Sequence, residues 1–313
     1  MTVWLSVVMP VHGGANMLGM TLASVAAEHP HGVELRLYNS ADDGGAAQAV
    51  AQTFAHQLDI VWQEKPDLKP WTAKTNLGVI EARAPHVVML HQDDLWLPGH
   101  LDSVRKSIAT AGDTVMSVAT SRYIGPVGQD LGPWRLPFAP GRYGGREFAE
   151  TLIVQNSIAI PSPVIARDAW LKSGGLDDAL WFSADWDLYL KLAELGDVVV
   201  RSDPTTGFRL HGGSLTMTGS RDLRDYRQQL EIVLARHNAA LAPLDRAIVR
   251  RAKVAIAANH ALAAVWHGQV WALPGALLQV VGLGPRGMRR WLAETGLIDR
   301  VRTRLRLALA GAL

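Results

Sequence analysis

Val87-Val88-Met89-Leu90-His91-Gln92-Asp93-Asp94-Leu95-Trp96-Leu97-Pro98 passes from four apolar residues through a polar step into a proline. A short apolar run bounded by breakers reads as a buried strand that stops abruptly. Two adjacent carboxylates, Asp93 and Asp94, stand where that strand ends. Open α/β sheets bind ligands outside the carboxyl ends of their strands, so chemistry is expected at this junction. Paired hard oxygen donors suit Mg²⁺ or Mn²⁺, and such an ion can bridge the phosphates of a nucleotide. The competing reading is that Asp93 or Asp94 caps a helix from about Pro98 to Ala109.

The segments on either side decide the fold class. Leu5 to His12 is an apolar run ended by Pro10 and the Gly13-Gly14 turn, which predicts a first strand. Asn16 is placed to cap a helix through Ala26. Val33 to Tyr38 alternates as a second strand and ends in Asn39-Ser40-Ala41-Asp42-Asp43-Gly44-Gly45. A helix from about Ala46 to Gln57, a short strand at Ile60 to Trp62 and a helix from Thr72 to Ala82 lead into Val87–Leu90. Strands alternating with helices predict a parallel sheet with right-handed crossovers. The glycine fingerprint of dinucleotide folds is absent after the first strand.

Farther along, Gly125 to Gly145 is rich in Gly and Pro and reads as a long loop. Ser162 to Ala166 reads as a strand and Arg167 to Lys172 as a helix. A strongly helical stretch runs from Asp185 to Glu194, with Gly196 as its stop. Val198-Val199-Val200 and Gly207 to His211 read as further strands.

The chain has 313 residues, 48% of them hydrophobic and 19% charged, which is globular rather than disordered. It contains no cysteine, so disulfides and thiolate chemistry are excluded and any metal must use O and N ligands. Met1 to Leu5 lacks a basic leader and Pro10 follows soon after, so a cytoplasmic location is expected. Residues 1–220 carry 16 Lys and Arg against 23 Asp and Glu, while residues 221–313 carry 15 against 6. An acidic body with a basic tail predicts two regions, 1–220 and 221–313, the second with its own role.

Val254 to Pro285 contains no charged residue, but His267-Gly268-Gln269 and Pro274-Gly275 divide it into pieces too short to span a bilayer. Packed or interfacial helices are expected there. Arg286 to Leu313 interleaves arginines with Trp291, Leu292, Ile298, Val301, Leu305 and Leu307. Two readings stay open for it: a solvated basic face on a packing helix, or a peripheral anchor on anionic lipid.

Six stretches in order, over roughly residues 4–218, resemble the family-2 glycosyltransferases of the GT-A fold. Val7 to His12 is similar to the family's first strand and the turn bordering the nucleoside. Ala73-Lys74-Thr75-Asn76-Leu77-Gly78 resembles its "ARNxG" helix start, with Lys74 in the Arg position. Leu90 to Asp94 resembles the "LDxDD" metal and diphosphate motif, with His91 replacing the first Asp. Gly174 to Asp177 resembles "GGFDE", Ser183 to Lys191 resembles "xEDxDLxLR", and Arg209 to Thr216 resembles "RxHxxSxS".

The resemblance implies a mostly parallel central sheet flanked by helices, followed by a helical C-terminal region. It implies inverting transfer of a sugar from a nucleoside diphosphate to a hydroxyl acceptor, in cell-surface polysaccharide or glycolipid synthesis. Asp185 takes the position of the general base, and Asp93 and His211 take those of the Mn²⁺ or Mg²⁺ ligands. Pro10, Val11, His12, Asn39, Asp43, Lys74, Asn76, His91, Gln92, Asp93, Asp94 and Trp186 are the implied donor-binding residues. Asn39 or Asp43 must replace the usual "DDxS" grip on the nucleobase. Trp96, Trp134 and Trp186 are candidates to stack on a sugar or base.

The implied partners are a nucleotide sugar and a glycan or lipid-linked acceptor, with no nucleic acid; an anionic membrane surface on the inner face of the cell membrane joins them if 286–313 is the anchor rather than the packing helix. Asp187, two residues beyond the base, points to another side of the helix and is expected to be structural. Two other functions compete: a nucleotidyltransferase, which lacks its basic residue after Gly13-Gly14, and a catalytically silent sugar-nucleotide-binding protein, which His91 and Tyr38 favour.

Overall fold

A computed structural model describes residues 2–215 and 222–309. Its first half follows the alternation read from the sequence: β1 (Leu5–Val11), α1 (Ala15–Ala26), β2 (Val33–Asn39), α2 (Ala46–Thr53), β3 (Asp59–Glu64), α3 (Trp71–Glu81) and β4 (His86–Met89). β1 pairs in parallel with both β2 and β4, and β2 with β3. Every residue of β1 and β2 is buried, because a parallel sheet is covered on both faces. Val7 and Met9 join one core with α1 and α2, while Val8 joins the opposite core. Gly78 lets α3 lie directly on that second face. A Cβ there would stand 2.4 Å from Val8 and 2.9 Å from Tyr38.

After β4 the chain forms β5 (Leu95–Trp96), α4 (His100–Ala111), β6 (Met116–Ala119), β7 (Ser121–Ile124), β8 (Asp130–Trp134), β9 (Gly141–Tyr143) and α5 (Gly145–Leu152). Then come β10 (Val164–Ala166), α6 (Arg167–Ser173), α7 (Ala184–Leu195), β11 (Val198–Arg201) and β12 (Thr206–Arg209). The large sheet has the order β3-β2-β1-β4-β10-β6-β11-β9, with β10 and β9 antiparallel to their neighbours. A second sheet, β5-β12-β7-β8, lies at the carboxyl end of β4. The fold class is therefore the expected one, a mostly parallel sheet between helical layers.

Two local expectations are corrected. The stretch 125–145 is not one loop, because it carries β8 and β9. Both are edge strands. An edge tolerates Pro133 and Gly132, the residues that erase a strand pattern in the sequence. Asn16 is not the cap of α1. That position belongs to Gly14, at φ 71° with no side-chain cap. A side chain at Gly14 would approach Gln92 Nε2 to 2.4 Å, so the turn is kept bare for the loop after β4.

The basic region forms α8 (Leu223–Ala240), α9 (Arg246–Trp266), α10 (Leu273–Gly282), α11 (Gly284–Thr295) and α12 (Leu297–Leu309). Among the described residues no helix is long and apolar enough to cross a membrane. Leu230, Val233, Val254 and Trp291 share one core with β4, β6 and α7. α12 lies on the second sheet, where Arg306 donates to the Leu131 carbonyl at 2.9 Å and Asp299 pairs with Arg135. Part of the expected basic face is thus committed to packing, while Arg286, Arg289 and Arg302 remain exposed.

Candidate active site

The loop after β4 is held from three sides. Thr21 Oγ1 lies 2.8 Å from the Gln92 and Asp94 carbonyls. Gln92 Oε1 accepts the His12 backbone N–H at 2.7 Å. From β12, the Arg209 N–H donates to Asp94 Oδ1 at 2.9 Å, and its buried guanidinium donates to the Gly125 and Pro126 carbonyls and to that of Asp93. This fixes the chain direction so that His211, two residues on, faces Asp93, with Nε2 3.0 Å from Asp93 Oδ2. The two expected metal ligands are therefore neighbours, although 118 residues apart in sequence.

His91, Asp93 and Asp94 each offer a ligand atom, and these atoms lie within 4.8 Å of one another. His91 Nε2 and Asp94 Oδ2 are buried without a hydrogen-bond partner among the described residues. Such orphaned acceptors are costly unless something positive meets them. Burial, then the adjacent charge of Asp93, pushes Asp94 well above the carboxylate range. Burial likewise lowers His91, against the adjacent charge of Asp93. Burial also opposes ionisation of Asp93, but the His211 hydrogen bond and the two imidazoles together hold it below its ordinary value. Oxygen and imidazole donors in this grouping fit a divalent cation such as Mn²⁺ or Mg²⁺.

Beside this cluster the ends of β1 and β2 form a polar wall. Lys74 is buried and donates to the Val11 carbonyl at 2.7 Å and to Ser40 Oγ at 2.8 Å. Burial, then the charge of Lys69, lowers it to about 8. His12 Nδ1 lies 3.1 Å from the same Ser40 hydroxyl. Pro10, His12, Lys69, Lys74, His91, Gln92 and Asp93 all face one cavity.

Several expected donor residues have other commitments. Asn39 forms a turn with the Ala41 backbone and donates to Glu64. Asp43 accepts the Gly45 and Ala47 amides at the start of α2. Asn76 clamps both backbone groups of Leu176, securing the Gly174-Gly175 turn. Val11 contributes its carbonyl through Lys74 and not its side chain. Trp186 lines the cavity, with its ring largely buried and its N–H on the Leu152 carbonyl, whereas Trp96 stacks on His100 in the core. Trp134 faces the cavity, but its ring lies on Tyr123 with its N–H on the Ser157 carbonyl.

Asp185 enters the same cavity from the first turn of α7. Ser183 holds the cap position without a side-chain bond, so Asp185 is not the cap. Its carboxylate accepts the Trp186 N–H at 2.8 Å and the Asn156 side-chain N–H at 2.9 Å. Burial outweighs both bonds and raises it to about 6. Asp187 is different. It is fully buried and meets Lys191, Arg236 and His237, which pull it down to about 2 against the effect of burial. The two carboxylates, two residues apart, are thus held on opposite sides of their ordinary range.

Sequence reasoning missed Asn156, Ser40, Lys69 and Trp71, whose ring meets His91 edge-on at 5.1 Å. The signal for Asn156 was present. Gln155-Asn156-Ser157 interrupts an otherwise apolar run from Leu152 to Ile160. Thr216, the last position of the "RxHxxSxS" stretch, lies outside the described residues.

The cavity that gathers these groups measures about 1100 Å³ and continues to Arg300 and Arg304 of α12. No protein-family model and no curated protein matches the chain. Solved structures do match. A fragment of S. aureus TarS, residues 1–349, in complex with UDP-GlcNAc aligns with a TM-score of 0.64 at 11% identity, over 93% of this chain and 79% of that one. The mannosyltransferase PcManGT from Pyrobaculum calidifontis, in complex with GDP-Man and Mn²⁺, aligns with a TM-score of 0.53 at 14% identity, over 97% and 87%. The chain has the fold of these glycosyltransferases.

Proposed function

We propose that this chain is a family-2-type inverting glycosyltransferase that moves a sugar from a nucleoside diphosphate to a hydroxyl acceptor. The observation that carries the reading is the meeting, in one cavity, of the His91, Asp93, Asp94 and His211 donor set with the separate carboxylate of Asp185. The two solved neighbours hold UDP-GlcNAc in one case and GDP-Man with Mn²⁺ in the other, and the donor set here is of the kind that takes such an ion.

A divalent cation on His91, Asp93, Asp94 and His211 would supply positive charge against the leaving diphosphate. The protein's own part is orientation and proton transfer. Lys74 and Lys69 line the same cavity and would add positive charge beside a bound diphosphate. Asp185 accepts the acceptor hydroxyl's proton as its oxygen bonds to the anomeric carbon and the bond to the diphosphate breaks. With its carboxyl at about 6, Asp185 is ionised at neutral pH yet more basic than an exposed aspartate. Asn156 keeps the carboxylate turned toward the cavity.

A panel of UDP, GDP and dTDP sugars with Mn²⁺ tests the reading. Release of nucleoside diphosphate from one of them is the expected result. Pyrophosphate release from a nucleoside triphosphate and a sugar phosphate would establish a nucleotidyltransferase instead. Binding without any turnover would establish the silent binding protein.

We also place the enzyme on the inner face of the cell membrane, where it serves polysaccharide or glycolipid synthesis. Support comes from 265–290 rather than from α12. Val270, Trp271, Leu277, Leu278 and Val281 are 61–73% exposed, and Arg286 and Arg289 follow with their side chains in solvent. Apolar and aromatic residues beside arginines suit an anionic interface. The protein is expected to sediment with anionic vesicles, and Trp271→Ser with Leu278→Ser to release most of it. Equal sedimentation with neutral and anionic vesicles would contradict the electrostatic part, because the arginines gain attraction only from anionic headgroups.

A further inference from the structure

The cavity is larger than one ligand of ordinary size requires, and its two ends differ in chemistry. The end described above is polar. The other is walled by Tyr226, Leu230, Leu262, Ala263 and Val301, and its rim carries the exposed side chains of Leu215, Val265, Trp266 and Leu305. Exposed apolar side chains around a mouth are unfavourable in water unless an apolar ligand covers them.

Two cations interrupt this apolar end. Arg300 and Arg304, one turn apart on α12, both line it. Arg300 donates to Asn259 Oδ1 at 2.9 Å, and Arg304 donates to the Arg300 carbonyl at 3.4 Å. Neither has a carboxylate partner among the described residues, and the neighbouring Asp299 is taken by Arg135. Two like charges held together against an apolar wall call for an anion.

A chain of hydrogen bonds ties this pair to the base. Asn259 Nδ2 donates to Gln155 Oε1 at 2.8 Å, Gln155 to the Asn156 carbonyl at 3.2 Å, and Asn156 to Asp185. The arginines and the base therefore belong to one polar strip through an apolar cavity.

Building on the glycosyltransferase reading, we propose that the α8–α9–α12 end of the cavity is the acceptor subsite, that it takes an amphiphile bearing a phosphate or diphosphate, and that Arg300 and Arg304 hold this anion while the hydrocarbon leaves through the rim of Leu215, Val265, Trp266 and Leu305. The acceptor's hydroxyl then lies toward Asp185, which takes its proton as the new glycosidic bond forms and the nucleoside diphosphate departs. The occupant must be both charged and apolar, since either half alone leaves one wall of the subsite unmatched.

The test uses the full chain with decyl phosphate below its micelle concentration, followed by calorimetry. Decyl maltoside, uncharged, and inorganic phosphate, without a chain, are the comparison probes. Decyl phosphate is expected to bind at least about 10-fold more tightly than either, because only it can satisfy both halves of the site. The Arg300→Gln/Arg304→Gln double variant is expected to lose about 10-fold or more of that affinity while its melting curve stays cooperative.

Leu305→Glu provides a second test that folding cannot obscure, since this side chain is 58% exposed. It is expected to weaken decyl phosphate through charge repulsion and lost apolar contact. Equal binding of decyl phosphate by wild type and by both variants would overturn the proposal. So would inorganic phosphate or decyl maltoside binding as tightly as decyl phosphate. These titrations contain no nucleotide sugar, so failure of the donor panel and failure of the acceptor subsite are read separately.

Discussion

Asp185→Asn is expected to lower kcat by about 100- to 10,000-fold while leaving donor affinity within a factor of about two, the range for removal of a general base. That loss corresponds to roughly 3–5 kcal/mol of barrier. A base acts only as the proton moves, so ground-state binding of the donor is spared. The pH profile gives a second readout. Burial raises the Asp185 carboxyl to about 6, and the ionised form is the active one. Activity is therefore present above this value and lost as pH falls through it.

Asn156→Ala moves that acid limb to higher pH, because the Asn156 hydrogen bond is one of the interactions that holds the carboxyl down. Asp185→Asn is expected to change the melting temperature little at neutral pH, since relief of the buried charge offsets the loss of one of its two accepted hydrogen bonds. A variant that melts earlier yet turns over normally would make Asp185 a structural residue.

Asp93→Ala is expected to cost about 1,000-fold or more in turnover with little change in melting temperature. A metal ion that stabilises transition-state charge supplies several kcal/mol, and about 4 kcal/mol is a factor near 1,000. Asp93 is partly exposed at the cavity wall, where its carboxylate meets His211, so its removal opens no core void. The same change at Asp94 would be a poorer test. Asp94 is buried and accepts the Arg209 amide, so its loss disturbs the loop as well as the ligand set. Full turnover by Asp93→Ala in Mn²⁺ would remove the donor set from the mechanism.

The parts of the fold that the sequence made legible are those where local pattern and burial agree. β1, β2 and β4 are short apolar runs because both faces of a parallel sheet are covered, and Gly78 stands where a helix touches that sheet. The Asp93 with His211 contact was legible only through the order of several motifs, since 118 residues separate them. β8 and β9 were hidden because edge strands accept the Gly and Pro that otherwise signal a loop.

Asn39, Asp43 and Asn76 were assigned to the donor from their places in the stretches that resemble family motifs. Short polar side chains near turns satisfy local backbone groups as readily as ligands, and here they do so. Arg300 and Arg304 were legible only as part of the basic face of 286–313, not as cavity residues. In an amphipathic helix an arginine on a packing face and one on a solvent face look alike, and only the position of α12 over the second sheet turns this pair inward.

The most direct measurement of the central claim is calorimetric titration of the wild-type chain and of Asp93→Ala with UDP, GDP and dTDP sugars, each with and without Mn²⁺. The account predicts that one nucleotide sugar binds the wild-type chain at least about 10-fold more tightly with Mn²⁺, and that this gain disappears in Asp93→Ala. Metal-dependent affinity of the same size in the variant, or no binding of any nucleotide sugar by the wild-type chain, would contradict it.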